Sequence, residues 1–110
     1  MNEPQQLLRI YLDESDRFGH KPLYEAIVLK ARELGLAGAT VFRSPMGFGK
    51  TSVLKTSKIL NLSTDLPMVI DIVDLPEKIA AIIPFIDENL RGGLVTLQTV
   101  NVIHQSARNA

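Results

Sequence analysis

The sequence predicts an α+β domain, an antiparallel sheet carrying two helices on one face, with elements in the order βαββαβ. Three observations predict it. Two segments with helical apolar spacing alternate with β-branched segments of strand length. An apolar run ending in an aspartate, Asp13 or Asp74, precedes each helical segment. The exits from the two helical segments also echo one another, Leu34-Gly-Leu-Ala-Gly-Ala-Thr-Val41 against Leu90-Arg-Gly-Gly-Leu-Val-Thr-Leu97.

The elements follow in order. Gln6 to Leu12 reads as a first strand, and the polar stretch from Asp13 to Lys21 as its turn. Pro22 suits a first helical position, because its fixed φ is helical and its missing N–H is not needed there. The helix that follows sets Leu23, Ala26, Ile27, Ala31 and Leu34 on one face and stops at Gly35, the residue best able to turn left-handed. Ala37 to Arg43 is a second strand. Pro67 to Asp74 is a third, with a run apolar enough for a central position. Asp74 followed three residues later by Glu77 has the form of a capping box opening a second helix. Pro84 predicts either a kink near Ile83 or a break into two pieces before Asn89. Leu94 to Ile103 is extended, and its alternation slips at Gln98-Thr99, which predicts a bulge or two short strands. A loose tail is expected over about 104–110. Two βαβ units in one antiparallel sheet form the ferredoxin-like plait, a fold that hosts many activities and selects none.

Composition narrows the function. With 110 residues, 45% of them hydrophobic, the chain makes one domain with one modest core. Lys and Arg number 12 against 12 Asp and Glu, so the molecule lacks the excess positive charge that drives nucleic-acid binding. Tyr11, Tyr24 and Phe42 are too scattered to stack bases and read as packing residues. Cysteine is absent, which removes disulfides, thiolate metal sites and thiol nucleophiles together. His20 and His104 have no metal-pair spacing, and His20 reads as a surface or capping residue. No apolar run approaches the ~20 residues of a membrane span, and the first residues do not resemble a signal peptide. A soluble cytoplasmic protein with no membrane insertion is expected.

Neutrality on average hides a local imbalance. Between Glu33 and Asp65 the chain carries no acid, while Arg43, Lys50, Lys55 and Lys58 all fall in that window. The loop over about 44–66 is long for a compact domain, which points to function, and Gly47 and Gly49 allow its backbone N–H groups to turn inward and cradle an anion. Its plain alternative is an ordinary hairpin loop kept soluble by lysines. Ser44-Pro-Met-Gly-Phe-Gly-Lys-Thr51 nearly spells the phosphate loop of nucleotide hydrolases. Ser44, however, replaces the first glycine, and the parallel sheet of such enzymes is not predicted. Outside the loop, Glu14, Asp16 and Arg17 read as a solvated turn whose aspartate bonds its own backbone. Arg17 remains able to reach a ligand in a neighbouring subunit. Asp71, inside an apolar strand, calls for a partner, solvent or a subunit interface.

Several ordered blocks carry a family resemblance: Glu14-Ser-Asp-Arg17, Lys21-Pro-Leu-Tyr-Glu-Ala-Ile27, Gly35-Leu-Ala-Gly-Ala-Thr-Val41, Gly47-Phe-Gly49, Leu62-Ser-Thr-Asp-Leu-Pro67, Ile72-Val-Asp74 and Gly93-Leu-Val-Thr-Leu97. From about Leu7 to Ile103 the chain resembles the bacterial and archaeal PII-like family of unknown function numbered 190. That resemblance implies a single PII-like domain over 1–110, homotrimeric assembly, and clefts between subunits that bind a small anionic ligand. An adenine nucleotide, AMP, ADP or ATP, is the ligand it implies. Arg43, Gly47, Phe48, Gly49 and Lys50 at the loop base, with Gly92, Gly93, Thr96 and Arg17, are the ligand-binding residues expected. Ser44-Pro45 and Lys55 make this loop stiffer and more basic than the family's usual pattern, and Arg91-Gly-Gly93 is a reduced form of the PII glycine-rich nucleotide loop. The resulting expectation is a signalling protein that is not an enzyme and that acts through a mobile loop on a protein partner, a transporter or an enzyme. The alternative is a small nucleotide hydrolase or transferase using Gly49-Lys50-Thr51.

Overall fold

The computed structural model describes residues 4–58 and 65–107. Residues 59–64 of the expected loop and 108–110 of the expected tail lie outside the described residues. The strands and helices are β1 (Gln5–Asp13), β2 (Arg17–Phe18), β3 (Lys21–Pro22), α1 (Leu23–Glu33), β4 (Thr40–Arg43), β5 (Met46–Gly47), β6 (Lys55–Thr56), β7 (Pro67–Asp74), α2 (Pro76–Asn89) and β8 (Leu94–Val100). One antiparallel sheet runs β4-β7-β1-β8, and two small hairpins, β2-β3 and β5-β6, stand outside it. The ferredoxin-like α+β plait expected from the sequence is therefore the fold.

Alternation along the two central strands builds the core. Leu8, Ile10 and Leu12 of β1 and Met68, Ile70 and Ile72 of β7 point to one face, where they meet Leu23, Ala26, Ile27 and Ala31 of α1 and Ile79, Ile82 and Ile86 of α2. Burying each large aliphatic side chain stabilises the fold by about 1.5–3 kcal/mol. The opposite face carries Leu7, Arg9 and Tyr11 of β1 and Val69, Asp71 and Val73 of β7, which no helix among the described residues covers.

Helix α1 starts one residue later than expected. Pro22 is its N-cap in an extended conformation (φ −62°, ψ 142°), and Leu23 N–H donates to the carbonyl of Asp16 at 2.7 Å, pairing one of the otherwise orphaned first-turn donors. Its end is as expected. Gly35 has φ +77°, with Leu36 N–H bonded to Ala31 O at 3.0 Å and Gly35 N–H to Arg32 O at 3.1 Å, a Schellman stop.

Four local expectations are corrected. Asp74 does not cap α2; Leu75 holds that position, and Pro76 begins the helix. The Asp74 carboxylate instead accepts Ala37 N–H at 2.8 Å and Leu75 N–H at 2.7 Å, so it ties the exit of α1 to the end of β7. Because Ala37 is held there, β4 begins only at Thr40. Of the two outcomes expected at Pro84, the break into two pieces does not occur: the helix is continuous over Pro76–Asn89. Ala80, whose carbonyl loses its helical donor to Pro84, is exposed to water, and buried Ile79, Ile82 and Ile86 hold both turns to the sheet. Finally, β8 pairs with β1 residue for residue from Leu94 against Tyr11 to Val100 against Gln5, without a bulge, and ends at Val100. The slip in its pattern reflects an edge strand exposed from Thr96 to Thr99, where no burial enforces alternation.

Candidate functional site

The base of the long loop is a cluster of charges at one end of the sheet, where β1 and β4 end and β7 begins. Arg43, the last residue of β4, faces the turn after β1, and its Nε and Nη2 donate to the two carboxylate oxygens of Glu14 at 3.0 and 3.1 Å. Glu14 also accepts Leu66 N–H at 3.2 Å, while its own backbone N–H donates to Leu66 O at 2.9 Å. Ser44 N–H donates to Pro67 O at 2.8 Å, so both ends of the loop are pinned side by side.

A second clamp lies beside the first. Lys55 of β6 forms a close ion pair with Asp65 and approaches Asp13 at 3.7 Å, and Asp65 also accepts Ser15 N–H at 3.0 Å. Burial opposes ionisation of Asp65, but hydrogen bonds from Lys55 and Ser15 outweigh it and hold the carboxyl below its ordinary value. The hydrogen bond to Asp65 raises Lys55 above its ordinary value. Burial, together with neighbouring Asp65 and Asp16, raises the carboxyl of Asp13 against the pull of Lys55.

Beyond these clamps the loop rises as the β5-β6 hairpin, Met46 opposite Thr56 and Gly47 opposite Lys55. The glycines do not curl the backbone as expected: Gly47 lies in a strand, and the left-handed residue of the turn is Ser52 (φ 62°), whose N–H bonds to Gly49 O at 2.9 Å. Phe48 is 70% exposed, and Met46, Val53 and Leu54 are exposed beside it. Lys50 and Thr51 sit in this hairpin turn, not at the start of a helix. A phosphate loop needs the helix N-terminus behind it, so the near-match to that motif lacks its physical basis.

Gly92 and Gly93 lie at the same end of the sheet but on its other edge. Gly93 has φ +88°, and a Cβ there would stand 2.1 Å from Tyr11 O, so the close approach of this turn to β1 requires glycine. Thr96 lies opposite Arg9 on β1. Arg43 and Gly93 border strands at opposite edges of a four-stranded sheet, three strand spacings or about 14 Å apart. One chain therefore does not bring the two halves of the expected site together. Arg17 is engaged locally: its Nη2 donates to His20 O at 2.6 Å in the β2-β3 hairpin, and Phe18 of that hairpin packs on Phe85 of α2 with ring centroids 5.4 Å apart.

Sequence reasoning missed two features. The acids that partner the basic loop come from outside its window, Asp13 from the end of β1, Glu14 from the turn after it and Asp65 from the window's edge. Their clustering at strand ends was the available signal. Arg9, opposite Asp71 on the uncovered face, forms a bidentate pair with it at 2.7 and 2.8 Å, and this hydrogen-bonded partner pushes the guanidinium above its ordinary value. Asp16 behaves as expected, accepting Asp13 N–H at 3.0 Å.

Comparison with known proteins assigns the family. The sequence profile of DUF190, an uncharacterized ACR family, matches residues 5–102. A UPF0166 protein of Aquifex aeolicus is 41% identical over 103 residues, covering 91% of this chain and 94% of that protein. A UPF0166 protein of Methanocaldococcus jannaschii is 33% identical over 98 residues, covering 88% and 90%. Among solved structures, the chain is similar to CPII of Thiomonas intermedia K12 bound to ADP, AMP and bicarbonate, a nitrogen regulatory PII-like protein (TM-score 0.63, 19% identity, 93% and 91% coverage). It is also similar to Bacillus subtilis GlnK in complex with ATP (TM-score 0.53, 12% identity, 91% and 84% coverage). The chain belongs to the DUF190 family and has the PII-like fold.

Proposed function

We propose that this member of DUF190 is a regulatory module that binds a small anionic effector, an adenine nucleotide, in clefts between the subunits of a homotrimer and passes its state to a protein partner through the Arg43–Asp65 loop. One observation carries the reading: Arg43 with the Gly47–Lys50 hairpin and Gly92, Gly93 and Thr96 sit on opposite sheet edges. A ligand touching both groups needs two copies of the chain, edge to edge. The uncovered sheet face gives those copies a reason to associate, because Tyr11, Phe42 and Leu94 stay exposed around the Arg9 and Asp71 pair. ADP and AMP in one similar structure and ATP in another support the ligand class. Binding would change the loop's conformation, which would be the signal read by a transporter or enzyme in the cytoplasm.

A thermal-shift panel of AMP, ADP, ATP and bicarbonate tests it. A nucleotide at a hundred times its dissociation constant stabilises the fold by about 2.7 kcal/mol, a shift on the order of 10 °C. No shift with any nucleotide at millimolar concentration would sink the ligand class. The rival reading, hydrolysis or group transfer at Gly49-Lys50-Thr51, requires wild-type phosphate release that Lys50→Ala abolishes. Its lack of a helix behind Lys50 argues against it.

A further inference from the structure

We infer that Glu14 is an internal competitor for the anion site at Arg43 and, through the same carboxylate, the latch that holds the loop's two ends together. This rests on the proposed role of Arg43 as an anion contact. The geometry is that of an occupied site. Both Glu14 oxygens face the Arg43 fork at 3.0 and 3.1 Å, the bidentate arrangement in which a guanidinium takes a carboxylate or phosphate. Oε1 at the same time accepts Leu66 N–H at 3.2 Å. Arg43 begins the loop and Leu66 closes it, so one side chain spans both ends.

An incoming anion that takes the Arg43 fork must displace this carboxylate. Once displaced, Glu14 no longer holds Leu66 N–H, so the closing end of the loop loses its side-chain tether at the moment the opening end is occupied, while the backbone bonds from Glu14 N–H to Leu66 O and from Ser44 N–H to Pro67 O remain. Ligand binding and loop state are thereby coupled through a single residue without any long pathway. The second clamp, Lys55 with Asp65, uses different atoms and stays closed. Displacement therefore changes the loop's exit without dissolving its base.

The test uses the full-length protein and two probes, ADP and inorganic pyrophosphate, with wild type, Glu14→Gln and Glu14→Ala. Gln removes the charge facing Arg43 but keeps an acceptor for Leu66, whereas Ala removes both. Asp16→Asn serves as a charge control, since it changes net charge equally in the same turn without touching Arg43. Titration calorimetry should give binding about two- to fivefold tighter for Glu14→Gln and unchanged binding for Asp16→Asn. Amide exchange at Leu66 should quicken in unliganded Glu14→Ala and in wild type saturated with ADP. Equal affinity in wild type and Glu14→Gln, or equal gains in Glu14→Gln and Asp16→Asn, overturns the competitor while leaving the nucleotide reading intact. Pyrophosphate binding that tightens in Glu14→Gln, with no binding of ADP, overturns the nucleotide reading and upholds the competitor. If neither probe binds any variant, the competition is overturned along with the nucleotide reading. Exchange at Leu66 unchanged in Glu14→Ala overturns the latch, and thermal melting of each variant verifies that it is folded.

Discussion

Lys55 and Asp65 form an ion pair in the loop base, and their opposite pKa shifts set a pH window. The Asp65 carboxyl is held below its ordinary value, so its contribution to stability is present above the ordinary aspartate pKa and is lost as pH falls through the lower folded value. Lys55 is raised, so its contribution is present below the ordinary lysine pKa and is lost as pH rises through the higher folded value. Asp13 is raised and works the other way, favouring the fold at low pH and losing that contribution as pH rises through its raised value. Asp65→Asn should therefore destabilise by about 1 kcal/mol at neutral pH. The difference from wild type should stay flat through neutrality and vanish only below the ordinary carboxylate range, as urea melts at several pH values would record. A constant difference down to the acid limit would refute the pair as its source.

At the scale of single elements, two positions carry opposite expectations. Gly93 turns left-handed against the backbone of β1, so Gly93→Ala combines backbone strain with a steric collision and should cost about 2–4 kcal/mol. A melting temperature within two degrees of wild type would contradict the close approach at about 4–8 °C per kcal/mol. Pro84 sits in a continuous helix on its exposed side. Replacing it with alanine restores a donor for Ala80 and gains helix propensity, partly offset by a freer unfolded chain, so Pro84→Ala should stabilise by about 1–2 kcal/mol in denaturant melts. The element reading was legible where one face is buried. Met68, Ile70 and Ile72 alternate because the helices cover them, whereas β8, an edge strand, gave a false slip and Asp74 a false cap.

For the whole molecule, the sheet face opposite the helices decides what assembly is possible. Its apolar residues surround the Arg9 and Asp71 pair, and the edge strands β4 and β8, unpaired on their outer sides among the described residues, border it on either side. The proposed trimer predicts a sedimentation mass three times that of the 12.2 kDa chain, and a charge placed on this face, Tyr11→Asp, should shift it to monomer while far-UV circular dichroism persists. Wild type sedimenting as a monomer would leave the two half-sites on separate molecules and remove the cleft. No helix among the described residues is long and apolar enough to cross a membrane.

By itself the sequence determined the element order, the central position of β7, the Schellman stop at Gly35 and the basic loop, because each depends on neighbours a few residues apart or on a repeating period. Only the tertiary structure decided where the charges go. Glu14 meets Arg43 across 29 positions, Arg9 meets Asp71 across 62 and Asp74 holds Ala37 across 37. Such pairings are set by strand register and by which strands share an end of the sheet, so in the folded chain the base of a loop that reads as an open basic cradle already has Glu14 on Arg43 and Asp65 on Lys55.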